Sequence, residues 1–254
     1  MTKIILNGCM GKLSGAIRNI AKQDKLCEIV CGIDITGSGD GISFPTYSDI
    51  SHCNLDADVV VDCSVVEAIS PLLDFGVSRQ IPLVICTTGL SDEQMAQIHE
   101  ASKKVAILQS ANMSLGINLL VNMVNKAAKI LASSQFDIEI IEKHHNQKVD
   151  APSGTALALA SAVNSALEEK MDYVYDRSLE RKKRGEREIG IHAMRGGTIV
   201  GEHSVIFAGV DEVIEFNHQA LSKEIFAVGA LKSARFLKDK PPGFYTMQNL
   251  IDEV

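Results

Sequence analysis

Short β-branched runs recur through the N-terminal region, at Lys3–Leu6, Ile29–Ile33, Val59–Asp62, Leu83–Cys86 and Val105–Leu108. Helical patterns stand between them. Ser14–Lys22 follows the first run, and Ser91–Ser102 precedes the last, opening Ser-Asp-Glu as a cap and an acidic first turn. This alternation predicts a parallel sheet flanked by helices, because parallel strands must be joined by crossovers and helices supply them. At 254 residues the chain has room for one large domain or two modest ones. It shows no internal repeat and no low-complexity segment.

Between the first strand and first helix stands Gly8-Cys9-Met10-Gly11-Lys12-Leu13-Ser14-Gly15. Glycines at 8 and 11 permit a tight turn and let a pyrophosphate approach the helix start at Lys12 and Leu13. The spacing is G-x-x-G-x-x-S rather than G-x-G-x-x-G, so the argument rests on setting. The turn follows a strand, opens a helix and precedes Asp34, whose carboxylate suits both adenosine ribose hydroxyls. These features predict a site for NADH or NADPH. Ile35, Thr36 and Gly37 follow Asp34, which leaves Lys12 as the nearby cation for a 2′-phosphate; NADH is favoured and NADPH tolerated. Cys86-Thr87-Thr88-Gly89 and Gln109-Ser110-Ala111-Asn112-Met113-Ser114 end later strands, where open α/β sheets bind ligands. Cys86, Thr87, Thr88, Ala111, Asn112 and Met113 are therefore expected around the nicotinamide.

After Ser114 the pattern changes. Ile117–Leu131 is amphipathic, and Phe136–Glu142 alternates as a half-buried strand that delivers His144 and His145 from its end. Lys148 follows within the same five positions. Pro152-Ser153-Gly154-Thr155 then starts a helix: Pro152 stops it running backwards, Ser153 is a good N-cap, and Gly154 and Ala156 leave room at the backbone N–H groups. An imidazole can give or take a proton near neutral pH, and a protonated Lys148 can neutralise a carboxylate. A cationic acid/base cluster beside an anion hole suits a small acidic substrate. Glu188–Arg195, Thr198–Ala208 and Glu212–His218 read as antiparallel strands of a mixed sheet, Ser222–Phe236 as a helix, and Pro241-Pro242-Gly243 as a turn before a short tail. The basic run Arg177–Arg187 reads as a solvated loop or helix end. His192, His203 and His218 lie in strand patterns and are expected to be structural. No carboxylate or thiolate cluster completes a metal set with His144 and His145, so no metal is expected.

A net charge of −7 argues against nucleic acid and anionic membrane as partners. No apolar run approaches spanning length, and Lys3–Leu6 is too short for a signal peptide. The six cysteines form no C-x-x-C pair and fall mostly in apolar runs, so they are expected as buried free thiols in a cytoplasmic protein.

The stretch Glu142-Lys143-His144-His145-Asn146-Gln147-Lys148-Val149-Asp150-Ala151-Pro152-Ser153-Gly154-Thr155-Ala156 resembles the signature of the 4-hydroxy-tetrahydrodipicolinate reductase (dihydrodipicolinate reductase) family, E-x-H-H-x-x-K-x-D-x-P-S-G-T-A. The similarity extends to Gly8/Gly11, Thr87-Thr88-Gly89, Asn112-Met113-Ser114, Val200-Gly201-Glu202-His203 and Gly229-Ala230. It implies an α/β fold: a Rossmann-like parallel sheet over 1–113 completed by 223–254, and a central α+β domain over 114–222 with a mixed sheet that binds substrate and forms a homotetramer. It further implies reduction of a small dicarboxylate in the diaminopimelate route to lysine. His144 would be the proton donor, with His145 assisting. Lys148 would bind and polarise the substrate, and Ser153, Gly154 and Thr155 would form the carboxylate-binding helix start. The chain departs from the family pattern on the cofactor side, with Ser14 for the third glycine, Ser64-Val65-Val66 where Arg is common, Met113 for Phe, Cys86 for Gly, and Lys223 for Arg. Another two-domain Rossmann dehydrogenase would explain the first half only. A catalytically silent dinucleotide binder would leave His144 and Lys148 without a role.

Overall fold

The structure is a computed structural model and describes residues 1–37, 42–131, 134–178 and 181–253. Its elements run β1 (Thr2–Asn7), α1 (Lys12–Ala21), β2 (Cys27–Ile33), β3 (Thr46–Tyr47), β4 (Val59–Asp62), α2 (Ile69–Arg79), β5 (Leu83–Ile85), α3 (Asp92–Ser102) and β6 (Ala106–Gln109). They continue through α4 (Leu115–Leu131), β7 (Asp137–His144), α5 (Gly154–Ser165), β8 (Asp172–Val174), β9 (Glu188–Arg195), β10 (Gly201–Ala208) and β11 (Val213–Ala220). The chain closes with α6 (Glu224–Leu237), β12 (Gly243–Tyr245) and α7 (Met247–Asp252). Two compact units result: Met1–Leu115 with Lys223–Val254, and Gly116–Ser222. Among the described residues no helix is long and apolar enough to cross a membrane.

In the first unit seven strands pair in the order β12-β6-β5-β4-β1-β2-β3, and every pairing is parallel. The central strands are apolar on both sides, as a doubly covered sheet requires. Ile4, Leu6, Val59, Val61 and Val84 pack with Ile17 of α1 and Ala227, Ala230 and Leu231 of α6. The alternate residues Ile5, Val60, Leu83 and Ile85 pack with Leu72 of α2 and Ile98 of α3. Sequence order reverses between β1 and β4, which makes the β1 end the switch point where such sheets bind ligands. Helix α2 and the edge strand β12 were not foreseen. Pro71 stands in the first turn of α2, where a missing N–H costs nothing, and Gly243–Tyr245 adds to β6 where only a tail was expected. The cysteines are free thiols, five of them buried and Cys63 half-buried.

Helix α6 approaches the chain after β6 so closely that a Cβ on Gly229 would lie 1.7 Å from the Met113 carbonyl oxygen. Gly229→Ala is therefore expected to cost about 1–3 kcal/mol by overpacking. Thermal unfolding checks this, with a melting temperature lowered by roughly 2–4 °C per kcal/mol; an unchanged value would contradict the close approach.

The second unit holds a mixed sheet in the order β11-β10-β7-β9-β8. Ile138, Ile140, Ile189, Ile191, Val205 and Phe207 form its core with Leu120 and Val124 of α4 and Leu159 and Val163 of α5. The expectation of three antiparallel strands needs correction. β10 is antiparallel to β7 and β11, but β9 runs parallel to β7 and β8, because helix α5 lies between β7 and β9 and allows a crossover. The Arg177–Arg187 run is not simply solvated, although its residues 179–180 lie outside the described ones. Arg184 Nε donates to Glu139 Oε1 at 3.0 Å, Arg177 Nη2 donates to the same atom at 3.2 Å, and His192 Nε2 meets Oε2 at 2.9 Å. Burial pushes the Glu139 carboxyl up, but His192 and the two arginines outweigh it and hold it below the usual range.

Candidate active site

In the first unit, the turn after β1 is shaped by Gly8. Its φ is +72°, and a Cβ there would meet the Cys63 carbonyl oxygen at 2.7 Å, so only glycine fits. Gly11 occupies the N-cap of α1 and brings no side chain to it, which leaves the helix start to a ligand. Asp34, just past β2, turns back to this loop. Its Oδ2 accepts the Met10 N–H at 2.9 Å, and its Oδ1 accepts the Thr36 N–H at 3.1 Å and hydroxyl at 2.7 Å. Burial raises the Asp34 carboxyl, but these donors prevail and hold it below its usual value. Gly8, Gly11 and Asp34 line one cavity of about 580 Å³ together with Ile35, Ile50, Ser64 and Val65.

The other residues expected at the cofactor are placed differently. Lys12 is the exposed first residue of α1, while Leu13, Cys86 and Met113 pack into or against the core on the α1 and α6 side. Thr87 donates its hydroxyl to Asp62 Oδ2 at 2.7 Å. Asp62 itself was not singled out from the sequence. It ends β4 fully buried, and Asn7 Nδ2 donates to its other oxygen at 2.8 Å. Burial raises its pKa against the opposing hydrogen bonds of Ser64, Thr87 and Asn7. Thr88 and Ala111 stand in the loops after β5 and β6, and Asn112 Oδ1 accepts the Ser114 N–H at 2.9 Å ahead of α4.

In the second unit, the alternation of β7 carries Glu142 and His144 to the same buried side as Ile138 and Ile140. His144 Nδ1 lies 2.6 Å from Glu142 Oε2. Arg195, at the end of β9 and directly opposite His144 in register, grips the same carboxylate: Nη1 to Oε2 at 2.8 Å and Nη2 to Oε1 at 2.7 Å. The Ser153 N–H donates to Oε1 at 2.9 Å, which ties the start of α5 to the cluster. Ser153 Oγ accepts the Ala156 N–H at 3.2 Å as the N-cap and also meets His203 Nε2 at 3.0 Å. Ser153 is thus engaged internally. The space beside Gly154 is open, and Gly154 and Thr155 form the first turn of the helix. Lys148 Nζ donates to Asp150 Oδ1 at 2.7 Å, with the Asp150 side chain 56% exposed. His145 is half-buried, and its Nδ1 has no hydrogen-bond partner among the described residues.

Three residues of this cluster were not identified from the sequence. Glu142 was legible from the period-2 pattern, which sends positions 138, 140, 142 and 144 inward together. Arg195 carried no local signal. His203, expected as a structural strand residue, is buried with its ring centroid 5.1 Å from that of His144 at 73°. Burial, then the neighbouring His144, pushes the His203 pKa down to about 4.

A doubly wound parallel sheet with a glycine turn at its switch point defines a Rossmann-type nucleotide-binding fold, here carried in one chain with a unit that bears a buried histidine cluster. Family models described as "Dihydrodipicolinate reductase, N-terminus" and "Dihydrodipicolinate reductase, C-terminus" match residues 2–113 and 116–251. The chain belongs to the dihydrodipicolinate reductase family. It is 51% identical over 251 residues to a 4-hydroxy-tetrahydrodipicolinate reductase of Caldanaerobacter subterraneus subsp. tengcongensis, covering 99% of this chain and 98% of that protein. It is 46% identical over 252 residues to the Clostridium tetani protein of the same name, with the same coverage. Among solved structures, dipicolinate-bound dihydrodipicolinate reductase from Paenisporosarcina sp. TG-14 shares the fold, with a TM-score of 0.83, 21% identity and 97% coverage of each chain.

Proposed function

We propose that the chain reduces 4-hydroxy-tetrahydrodipicolinate to tetrahydrodipicolinate at the expense of NADH or NADPH, in the diaminopimelate route to lysine. The observation that carries this reading is the cluster of His144, Glu142 and Arg195, joined through Ser153 to the start of α5, with the Lys148–Asp150 pair in the loop before that helix. The relatives' shared name supports it. When bound, the nicotinamide supplies the hydride. Gly8, Gly11, the exposed Lys12 and the backbone N–H of Leu13 are suited to hold the cofactor's pyrophosphate, Asp34 its adenosine ribose, and the backbone of the loops at Cys86–Thr88 and Ala111–Met113 its nicotinamide ring. The ionised Asp34 with no cation following it favours NADH.

The 4-hydroxyl leaves as water together with a hydrogen from the neighbouring ring carbon, and once hydride has been added at the ring His144 supplies the one proton that this carbon then needs. A ring carboxylate docks on the N–H groups of Gly154 and Thr155, where the helix dipole favours negative charge. Lys148 pairs with the substrate, which competes with Asp150 for the ammonium, and His145 assists at the rim. Dipicolinate, a planar dicarboxylate found in the Paenisporosarcina structure, is the probe for this half of the site. Lys148→Ala is expected to weaken its binding about 10- to 100-fold, the weight of about 1.5–3 kcal/mol of charged hydrogen bonding, with cofactor affinity unchanged. Calorimetric titration reads this directly; equal affinity in both proteins would remove Lys148 from the site.

The protein acts as a cytoplasmic homotetramer in this reading. Ile141 of β7 and Ile206 of β10 alternate with core residues and so face away from the α4 and α5 side, and both are half-buried within one chain. A second copy of this sheet is the partner that would cover them.

A further inference from the structure

Two oxygens of one buried carboxylate tie His144, Arg195 and the start of α5 together. Glu142 is 0% exposed, and four donors converge on it. Oε2 receives His144 Nδ1 at 2.6 Å and Arg195 Nη1 at 2.8 Å; Oε1 receives Arg195 Nη2 at 2.7 Å and the Ser153 N–H at 2.9 Å. The guanidinium is itself anchored on the carbonyl oxygens of Met194 and Asp150. A carboxylate held by a bidentate arginine and a helix-start N–H cannot turn without breaking several charged hydrogen bonds. Burial pushes the Glu142 carboxyl up, but Arg195, His144 and Ser153 outweigh it and keep it below the usual range, so it is ionised and only accepts. The proton between it and His144 therefore belongs to Nδ1.

The other ring nitrogen has a different setting. A Cβ added to Gly201, at the start of β10, would stand 3.1 Å from His144 Nε2 and 3.4 Å from Cδ2. Glycine at that position brings no side chain over Nε2, while the His203 ring meets the imidazole in a T-shaped contact. We propose that Glu142 and Arg195 are positioning residues that commit His144 to proton transfer through Nε2, and that Gly201 keeps that nitrogen open to the substrate. The idea rests on the reading of His144 as proton donor. It assigns parts to three residues on three strands. Glu142 fixes the tautomer, Arg195 fixes Glu142, and Gly201 leaves the reacting atom uncovered.

The test uses the full protein labelled with ¹⁵N-histidine, in which the His144 resonances are those lost in His144→Gln. Long-range ¹H–¹⁵N spectra of the neutral ring are expected to show the Nδ1–H tautomer. In Glu142→Gln, Arg195 and the Ser153 N–H hold the amide oxygen, so the amide NH₂ faces Nδ1 and the ring switches to Nε2–H. Turnover should then fall on the order of 10²-fold while KM changes little, since no carboxylate remains to support the protonated ring. Gly201→Ala should keep the tautomer and lose turnover by crowding Nε2. An Nε2–H ring in the unaltered protein, or a tautomer indifferent to Glu142→Gln, would overturn the proposal. A tautomer switch with full turnover would overturn it from the other side, by removing His144 from the chemistry while leaving its contact with Glu142 intact.

Discussion

His144→Gln is expected to lower turnover by about 10²–10⁴-fold, the range for loss of a general acid, while cofactor affinity and melting behaviour stay close to those of the unaltered protein. The reason is local. Glutamine is similar in reach and can still donate a hydrogen bond to Glu142, so the carboxylate keeps a partner there along with its bonds from Arg195 and the Ser153 N–H. It cannot release a proton near neutral pH. The residues proposed to hold the dinucleotide lie in the other compact unit, on separate strands and loops, and so should not register the change. Steady-state turnover with fluorescence titration of the reduced cofactor separates the two effects. Parallel loss of turnover and cofactor affinity would indicate a disturbed fold and would withdraw support from His144 as the donor.

The second large effect is on stability against acid. His203 is 4% exposed, and its pKa falls from 6.5 to about 4, first through burial and then through the nearby His144, with Glu142 pulling weakly the other way. As pH drops through 6.5 the unfolded chain takes up this proton while the folded chain refuses it until about 4. Stability attached to His203 is therefore complete above 6.5 and is lost as pH falls toward 4, by about 3 kcal/mol in all. Glu142 and Glu139, with carboxyl groups held below their ordinary 4.5, add a further loss only below that value. Urea unfolding between pH 4.5 and 7.5 should show midpoints falling with acidity, and His203→Gln should flatten the trend. A midpoint independent of pH in that window, or a slope untouched by His203→Gln, would contradict the assignment.

The sequence carried the parts of this protein that depend on neighbouring residues. The β-branched runs located the central strands because a sheet covered on both faces needs apolar residues without a break, as at Val59–Asp62. The Gly8 turn and Asp34 were legible because tight turns and strand ends leave short, specific residue patterns. The segment from His144 to Thr155 was legible for the same reason, since it is one strand end, one loop and one helix start. What escaped was set by register. Arg195 meets Glu142 only because β9 runs parallel to β7 with His144 opposite Arg195, and nothing within Glu188–Arg195 announces that direction. His203 reaches Ser153 because β10 pairs on the other side of β7, fifty positions along the chain from the N-cap it supports. Asp62 was passed over as the ordinary end of a strand. Its importance to Thr87 and Asn7 appears only when β4 stands between β1 and β5.

The reductase reading is tested most directly by absorbance at 340 nm, with purified protein, NADH or NADPH, and substrate made in situ from pyruvate and aspartate semialdehyde by the preceding synthase. The account predicts oxidation of the cofactor that requires the synthase and runs faster with NADH. Faster oxidation of NADPH would keep the reaction and contradict the preference drawn from Asp34. No oxidation by folded, cofactor-bound protein would contradict the reductase reading itself.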